Sequence, residues 1–394
     1  MFDKNASPYE VVQYEEAPYE VKARQSDSQR LNILYFGVHD LAYPRNRRLR
    51  TFFIATHGDR VDVLPIEPTR GYLRNFVRLL NFTVRQRTKT DVVILSEFSL
   101  QFAILGWLAA RLRGAIFAVD WFVGLHETRI EDNSFSKPSF VRRIGYQVAD
   151  WVAVTLADEV FSDTDLRANN LTKKFLLKSP ALSVPVGAPP WATPSLGVPP
   201  LRAVGDQGAG KPPLRLLYYG NFLPLHGVPL ILEAVSLAAR RREIALTLIG
   251  DGRQKRRALE LVSSLGISSR CKFVEPVREV DLLAHIHQYD VILGIFGPSP
   301  KARSVIANKV WQGLACGMQV VTQKSQALDE ISEFAGNQLV QVDASSSKEL
   351  SEWFVQSQPF TVNDSSADAI NLRLEEYVES KCTELRDRLI LRCH

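Results

Sequence analysis

A basic, Gly- and Pro-rich loop followed by an amphipathic run is the strongest chemical signal in the chain. Lys301 and Arg303 lie in the loop, and Asn308, Lys309 and Gln312 follow in the run. Lys309 and Gln312 are three residues apart and therefore share one face of a helix. Basic side chains at the N-terminus of a helix suit a diphosphate, and a glutamine one turn further in can hydrogen-bond ribose hydroxyls. We therefore predict that these five residues bind the diphosphate and ribose of a nucleotide.

A second candidate is the turn from Gly220 to Gly227, which joins an apolar run to a helical pattern. Gly220 allows the backbone to approach a ligand closely, and Gly227 begins a helix whose N–H groups can hold an anion. We place Gly220 and Asn221 among the residues that bind the diphosphate, and His226 among the catalytic residues. A tight turn with a surface histidine explains the same pattern when it is taken in isolation.

The first half of the chain has polar residues directly after its predicted strands. Gly37 follows the first strand, and Arg45 and Asn46 open the helical pattern after it. Asp120 closes a later strand, and Glu127 follows within the same loop. A carboxylate at a strand end can bind a sugar hydroxyl or take a proton. We predict that Asp120 is catalytic and that Gly37, Arg45, Asn46 and Glu127 contact substrates at this edge.

These residues are positioned by short apolar runs that alternate with longer amphipathic stretches. The runs that indicate strands are 31–36, 61–64, 91–95, 115–119, 159–162, 214–219, 245–249, 271–274, 290–294 and 319–322. The stretches that indicate helices are 46–57, 70–88, 97–113, 138–155, 227–241, 253–265, 304–316, 346–355 and 367–391. Such alternation predicts parallel sheets covered on both faces, so the fold class is α/β with two Rossmann-like doubly wound domains. We expect the two domains to face an interdomain cleft, where substrates commonly bind.

The composition predicts where the domains begin and end. Residues 1–30 are polar and are expected to form a mobile tail. Nine of the 21 prolines lie between 180 and 213, which places a linker at 197–213 between domains at 31–196 and 214–360. Residues 361–394 are expected to form a C-terminal helix that packs back on the first domain.

Several classes of site and location are excluded by what the sequence lacks. Gly250 and Gly252 are not followed by the third glycine of a dinucleotide fingerprint, so an NAD site is not expected. The four cysteines form no Cys-x-x-Cys pair, which argues against a zinc site or disulfides and for a cytoplasmic compartment. The longest apolar run, 98–110, is shorter than the roughly 20 residues that span a bilayer, and the first thirty residues lack a secretory signal.

Positive charge is unevenly distributed in this chain of 394 residues and net charge +5. Between 41 and 115 there are thirteen Lys and Arg against five Asp and Glu. Such a face can meet anionic lipid or phosphorylated ligands, although a solvated surface explains it equally well. The run 72–85 is apolar on one side and basic on the other, so it either covers the sheet or lies at a membrane interface. Nucleic acid is not expected, because the charges are not interleaved with exposed aromatics.

Taken together, the motifs from 31 to about 330 resemble the retaining GT-B glycosyltransferases of family 4. The common donor motifs of that family are Gly-Arg-Leu with a later Lys-Gly, and two glutamates separated by seven residues. This chain has Asn221 and His226 at the first set of positions and Ser304 and Gln312 at the second. A subgroup with Leu-His-Gly and Asn-Lys-x-x-Gln is similar to this chain, so the departures are interpreted as substitutions.

The resemblance implies a polysaccharide-building enzyme without metal or cofactor. It would transfer a sugar from a nucleotide-diphosphate donor to a glycan or lipid-linked acceptor with retention of configuration, on the inner face of a membrane or free in the cytoplasm. Lys301 and His226 would be catalytic and would stabilise the leaving diphosphate together with Lys309, and Asp120 would orient the sugar or the acceptor. Gly37, like Gly220 and Asn221, would contact the donor. The acceptor would be contacted by Arg45, Asn46 and Glu127.

Two other functions remain open on the same scaffold. The missing Arg, Lys and two Glu suit a non-catalytic nucleotide-sugar-binding protein or a partner subunit of another transferase. A sugar-nucleotide epimerase or a phosphorylase is the third hypothesis. Nucleotide binding without turnover would favour the binding protein, and conversion of the donor alone would favour the epimerase.

Overall fold

The structure is a computed structural model that describes residues 12–13, 30–67, 71–85, 89–128, 139–194, 213–358 and 364–394. Contacts divide the chain into unit 1, Met1–Val186 with Val378–His394, and unit 2, Gly187–Tyr377. The predicted tail at 1–30 lies outside the described residues except for Val12–Gln13 and Arg30, as does the predicted linker at 197–213 except for Pro213.

Unit 1 contains one seven-stranded sheet. Its strands in chain order are β1 Val12–Gln13, β2 Asn32–Val38, β3 Arg60–Pro65, β4 Val92–Leu95, β5 Ile116–Asp120, β6 Glu159–Ser162 and β7 Leu182–Ser183. The spatial order is β1-β3-β2-β4-β5-β6-β7, and all pairs are parallel except β1 with β3. Strands β1 and β7 have two residues each, too few to show a period in the sequence, so the pattern predicts neither.

Helices connect the strands of unit 1. They are α1 Pro44–Thr51, α2 Tyr72–Arg85, α3 Ala103–Arg111, α4 Phe140–Leu156 and α5 Asp165–Phe175. The turn Phe52–Thr56 continues α1 as a π-helix, and the 3-10 turn Leu100–Phe102 precedes α3. The hydroxyl of Thr164 accepts a hydrogen bond from the N–H of Arg167 and so caps α5.

The core of unit 1 follows the period of two expected for strands. Leu34 and Phe36, Val93 and Leu95, and Phe117 alternate along β2, β4 and β5 and belong to one buried cluster. Helix α3 supplies Leu105 and Ala109 to the same cluster. Both faces of these central strands are buried, which explains why their sequences are continuous apolar runs and not alternating ones.

Unit 2 contains a six-stranded, fully parallel sheet. Its strands are β8 Leu214–Tyr219, β9 Ile244–Ile249, β10 Cys271–Val274, β11 Val291–Leu293, β12 Gln319–Gln323 and β13 Leu339–Val342. The spatial order β10-β9-β8-β11-β12-β13 is that of a dinucleotide-type Rossmann sheet. The predicted doubly wound α/β architecture is thereby confirmed.

The helices of unit 2 are α6 Val228–Ala238, α7 Lys255–Ser264, α8 Glu279–Ile286, α9 Asn308–Ala315, α10 Asp329–Ala335 and α11 Ser347–Gln356. Helix α9 begins four residues later than the predicted 304–316, because Lys301–Arg303 form a separate 3-10 turn held by the end of β12. The side-chain amide of Gln323 donates to the carbonyl of Ala302 at 2.9 Å, and the hydroxyl of Ser325 donates to the carbonyl of Arg303 at 2.7 Å.

The last helix, α12, runs from Asp364 to Cys393 and passes from unit 2 into unit 1 at Val378. Its end is anchored in unit 1 by Arg386, which pairs with Asp59 at 2.7 Å with both side chains fully buried. Arg388 and Arg392 both pair with Glu159 on β6, at 3.0 and 2.8 Å. None of the helices in the described ranges is long and apolar enough to cross a membrane.

Candidate active site

The order of connections in unit 2 reverses between the neighbouring strands β8 and β11. Ligands of doubly wound sheets bind outside the carboxyl ends of the strands at such a point. The turn after β8 and the loop after β11 meet there, since the N–H groups of Phe296 and Gly297 donate to the carbonyls of His226 and Leu225, both at 3.1 Å. The structure thus brings together the two donor motifs predicted from the sequence.

Close backbone contacts at this point require glycine. Gly250 at the end of β9 has a φ of +134°, and a Cβ on it would lie 2.2 Å from the carbonyl oxygen of Gly220. Gly227 has a φ of +65°, and a Cβ on it would lie 2.3 Å from the carbonyl carbon of Phe296. Both distances are far below van der Waals contact, so these glycines let three strand ends converge on one place.

Lys309, in the first turn of α9, places its ammonium group inside this convergence. The residue is 5% exposed, and its Nζ atom lies 4.0 Å from the centroid of the Tyr218 ring. Among the described residues the Nζ atom has no hydrogen-bond partner. Burial lowers the pKa of Lys309 to about 7. A buried cation without a partner is costly and marks a place built for an anion.

His226 and Lys309 both lie next to Gly220. A Cβ on Gly220 would be 3.7 Å from the His226 ring and 3.8 Å from Lys309 Nζ. The Tyr218 hydroxyl donates to the carbonyl of Asn221 at 2.7 Å and lies 2.7 Å from His226 Nδ1. Its oxygen therefore accepts from Nδ1–H, and Nε2 is the unprotonated nitrogen of the neutral ring. Burial, and then the charge of Lys309, hold the pKa of His226 well below its usual value.

The remaining predicted donor residues lie in the turn after β8, on the 3-10 turn before α9 and on α9 itself. Lys301 is half-buried and Arg303 exposed on the 3-10 turn before α9, while Asn308 is half-buried at the first position of that helix. Gln312 is buried one turn after Lys309. Asn221 is exposed and contributes its main-chain carbonyl to the Tyr218 contact, which makes its backbone the part that shapes the turn.

Unit 1 has a corresponding reversal between β2 and β4. Gly37, the second-last residue of β2, has a φ of +79° there, and the Ser99 hydroxyl from the loop after β4 donates to its carbonyl. Phe98 in the same loop also has a positive φ of 62°, which is rare for a bulky residue and is typical of functional loops. The predicted donor residue Gly37 therefore lies at the point in unit 1 where a doubly wound sheet binds ligands.

Glu97 occupies this loop and was missed by the sequence analysis. Its carboxylate is fully buried and accepts hydrogen bonds from the Asn46 amide and the Ser96 hydroxyl, both at 2.5 Å. Burial, together with the nearby charge of Asp120, raises the pKa of Glu97 to about 7. The carboxyl-end rule that selected Asp120 after β5 would also have selected Glu97 after β4. Asn46, predicted to contact the acceptor, is here the partner of that carboxyl group.

Arg45 and Asp120 form a buried ion pair. Arg45 Nε lies 2.8 and 2.7 Å from the two oxygens of Asp120, and each side chain is at most 1% exposed. Two other nitrogens of Arg45 donate to the carbonyls of Val184 and Ser162, at 2.5 and 3.1 Å. The pair thus ties α1 to the ends of β5 and β6. Asp120, predicted to be catalytic, has both oxygens committed to Arg45.

Glu127, the third predicted acceptor residue, belongs to another ion-pair group. Arg167 contacts both of its oxygens, at 2.9 and 3.0 Å, and also pairs with Asp163 at 2.9 Å. Arg167 further donates to the carbonyl of Phe122 at 3.0 Å. These contacts join the loop after β5 to α5, so Glu127 is part of a charged group that holds this loop.

Residues 213–356 match the family described as Glycosyl transferases group 1. These residues contain Gly220, His226 and Lys309, so the site just described lies inside the matched domain. No curated protein matches the chain in sequence.

Solved structures resemble the whole chain. HepE of Anabaena, in complex with UDP and glucose, has a TM-score of 0.63 at 13% identity and covers 91% of this chain and 99% of its own. A glycosyltransferase from Rickettsia africae has a TM-score of 0.61 at 12% identity, over 92% of this chain and 98% of its own. Sucrose-phosphate synthase from Thermosynechococcus elongatus has a TM-score of 0.57 at 14% identity, over 85% and 84%. At these identities the likeness shows the fold.

Two Rossmann-like units and these structural relatives define the GT-B fold. The matched domain in unit 2 indicates in addition that the chain is a glycosyltransferase, as predicted.

Proposed function

We propose that this glycosyltransferase takes its sugar from a nucleotide diphosphate bound around Lys309 and transfers it to a glycan or lipid-linked acceptor at the carboxyl edge of unit 1. The transfer retains the anomeric configuration and needs no metal ion or cofactor. The buried ammonium group of Lys309, which has no hydrogen-bond partner among the described residues, is the observation that carries this proposal. A diphosphate would supply the hydrogen bonds and the opposite charge that this group lacks.

The residues of unit 2 suit the departure of a nucleotide diphosphate. Charge accumulates on the diphosphate as the glycosidic bond breaks, and preorganised positive groups stabilise it. Lys309 is held by the Tyr218 ring and by burial, and the His226 ring is held by the Tyr218 hydroxyl, so both side chains are already in position. His226 takes up a proton at Nε2 when the diphosphate binds, because its neutral ring has no hydrogen to donate there. Lys301 and Arg303 add positive charge from the turn before α9. These cations supply the neutralisation for which other transferases use a metal ion.

The residues of unit 1 suit an acceptor hydroxyl. Glu97, with a pKa of about 7, can take up or release a proton near neutral pH, which is the property of a general base. We assign Arg45 and Asp120 a positioning role, because their pair fixes the strand ends that carry the loop of Glu97. We assign no nucleophilic carboxylate, so in this proposal the acceptor hydroxyl attacks the anomeric carbon from the face that the diphosphate leaves, which retains the configuration without a covalent sugar–enzyme intermediate.

The first experiment identifies the nucleotide that binds at the proposed donor site. UDP is the first candidate, because HepE was solved with UDP, and GDP and ADP complete the series. Calorimetry of the wild type with the three nucleotides is compared with Lys309→Met and with Lys324→Met, an exposed lysine of the same unit. We expect tight binding of one nucleotide, loss in Lys309→Met and no change in Lys324→Met. Equal binding by wild type and Lys309→Met would refute the donor site.

Turnover separates the transferase from the alternatives. The preferred nucleotide sugar is incubated with EDTA and a panel of glycan and lipid-linked acceptors, and the anomeric configuration of the product is read by NMR. Release of nucleotide diphosphate with product of the donor's configuration supports the proposal. Binding of the nucleotide sugar without release of nucleotide diphosphate would indicate a non-catalytic subunit. Conversion of the donor in the absence of an acceptor would indicate an epimerase. Dependence of the transfer on added metal would contradict the metal-free mechanism.

A lipid-linked acceptor would place the enzyme on the cytoplasmic face of a membrane, in the synthesis of a polysaccharide. The excess of positive charge between residues 41 and 115 supports this placement.

A further inference from the structure

Helices α2, α3 and α4 begin at the same edge of the unit 1 sheet. Each follows a parallel strand and runs back to the start of the next one, so its N-terminus lies at the carboxyl edge. Helix α3 packs against both α2 and α4. The ring of Tyr72, first residue of α2, stacks on Phe102 just before α3 at 5.2 Å between centroids, which shows that these two starts are adjacent.

All three helix starts expose apolar side chains. Phe140 and Val141 at the start of α4 are each 76% exposed, and Tyr72, Leu73 and Ile104 are all more than half exposed. We call these five residues with Ile144 the apolar rim. Six exposed apolar side chains at one edge exceed the scattered single ones that a water-facing surface carries, and such a patch marks a binding surface.

The charge around the apolar rim is positive. Arg74 on α2 and Arg142 and Arg143 on α4 are exposed between the apolar residues. In the described part of the chain, the first turns of α2, α3 and α4 contain no acidic residue. Acidic residues are normally favoured there because the N-terminus of a helix carries partial positive charge. Three neighbouring helix starts without one therefore select an anionic partner.

From these observations we propose that the apolar rim docks unit 1 onto an anionic lipid bilayer. Aromatic and aliphatic side chains at a helix end can enter the boundary between headgroups and acyl chains, while Arg74, Arg142 and Arg143 contact lipid phosphates. An acidic polysaccharide would account for the arginines and not for six exposed apolar side chains, and a protein interface is the alternative that the self-association experiment below detects. The inference rests on the proposed function in one respect: the rim lies at the edge of the sheet where Glu97 would meet a lipid-linked acceptor.

Co-sedimentation with vesicles tests the proposal on the full chain. Vesicles of phosphatidylcholine alone are compared with vesicles containing phosphatidylglycerol at about one lipid in three. We expect binding to the anionic vesicles only, and a loss of about tenfold in affinity for the double variant Phe140→Ser with Val141→Ser. Val84→Ser is the control, because Val84 is also more than half exposed but lies at the opposite end of α2 from the rim. A tenfold loss in the control as well, or none in either, would overturn the assignment of this surface.

The charge contribution is tested in the same assay. Arg142→Glu with Arg143→Glu should weaken binding by more than tenfold at low ionic strength, and added salt should reduce this difference. The wild-type protein is also examined for self-association in the absence of vesicles. If it self-associates as its concentration rises, and the Phe140→Ser and Val141→Ser changes abolish this, the rim is a protein interface and the proposal is overturned.

Nucleotide calorimetry and thermal melting keep the two proposals distinguishable. Rim variants should melt and bind nucleotide like the wild type, since no rim residue lies in unit 2. A rim variant that loses vesicle binding but still binds nucleotide supports the docking surface and leaves the proposed function unaffected. A wild-type protein that binds vesicles but no nucleotide would refute the proposed function and not the docking surface.

Discussion

The ammonium group of Lys309 lies 4.0 Å from the centre of the Tyr218 ring, and that ring's hydroxyl lies 2.7 Å from Nδ1 of His226. One tyrosine therefore supports both groups that are proposed to hold the departing diphosphate. Its position follows from the strand: Tyr218 is the second-last residue of β8 and is buried, so its ring cannot move away from Lys309 without disturbing the core.

Replacing Lys309 by methionine should affect stability and binding in opposite directions. Loss of a buried charge-to-phosphate contact costs about 2–5 kcal/mol, which corresponds to at least about 30-fold weaker nucleotide binding. Without nucleotide, however, the variant should melt at a higher temperature than the wild type, because an uncompensated buried charge is removed. Calorimetry and differential scanning fluorimetry measure the two effects. A variant with weaker binding and a lower melting temperature would contradict this expectation, because it would show that Lys309 stabilises the nucleotide-free protein.

Nucleotide binding should take up protons. Near pH 8 Lys309, with its pKa of about 7, is mostly neutral in the free protein, and an anionic ligand favours its charged form and that of neighbouring His226. Affinity should therefore fall as the pH rises above about 7. Titrations at pH 8 in buffers of different ionisation enthalpy measure the uptake, and Lys309→Met should take up about one proton fewer. Identical uptake by both proteins would contradict the assignment.

The stability of the free protein should depend on Glu97 between pH 4.5 and 7. The pKa of its carboxyl group is raised from 4.5 to about 7 by burial, so in this range the folded state holds a proton that the unfolded state has lost. Stability due to this group is thus complete below pH 4.5 and is lost as the pH rises through 7. Urea unfolding at pH 5 and pH 8 should show a smaller difference for Glu97→Gln than for the wild type. The exposed Glu333→Gln is the control.

The same Glu97→Gln variant tests the general base. If Glu97 takes the acceptor proton, the rise of kcat/KM through pH 7 should disappear together with most of the activity, by about 100-fold or more. A normal pH profile with a modest loss of activity would restrict Glu97 to holding the loop.

Asp120→Ala should destabilise unit 1 strongly. It leaves Arg45 buried without its partner, and breaking a buried pair in this way costs about 3–5 kcal/mol. The double variant Arg45→Met with Asp120→Ala should recover much of this loss, because the unpaired charge is gone as well. Urea unfolding measures both. A fully stable, inactive Asp120→Ala would instead favour the direct catalytic role predicted from the sequence.

Gly250→Ala should disrupt the donor site through the backbone. Gly250 and Gly266 both have positive φ angles, but a Cβ on Gly250 would lie 2.2 Å from the carbonyl oxygen of Gly220, whereas one on Gly266 would meet nothing within 4 Å. Gly266→Ala should therefore lower the free energy of unfolding by about 1 kcal/mol through backbone conformation alone. Gly250→Ala should lower it by about 1–3 kcal/mol more, because its Cβ overlaps the carbonyl oxygen of Gly220. Nucleotide calorimetry should show a loss only for Gly250→Ala.

The sequence predicts the sheets well because each central strand is a continuous apolar run with polar residues at its end. That local pattern locates Asp120, Gly37 and Gly220 at carboxyl edges before any contact is known. It also predicts α9, although the start at Asn308 depends on two hydrogen bonds from Gln323 and Ser325, far along the chain, that hold the preceding turn apart.

Partners distant in the sequence could not be predicted from the same pattern. Asp120 and Arg45 are 75 residues apart, and only the packed sheet shows that the carboxylate is occupied by the guanidinium. The burial of Lys309 depends on the glycine contacts at Gly220 and Gly250, which the sequence shows as turns without showing how closely they approach. Glu97 was missed for a different reason, since the pattern places it at the start of a helix over 97–113, whereas the structure has it in the turn between β4 and the 3-10 turn before α3.

The unpaired charge of Lys309 also has a consequence for the life of the protein in a cell. A ligand that binds only the folded state raises its stability by mass action, and proteases and chaperones act on the fraction that is unfolded. An enzyme whose empty donor site contains an unsatisfied cation is at its most vulnerable when nucleotide sugar is scarce. Its abundance would then follow the supply of its donor without any regulatory domain.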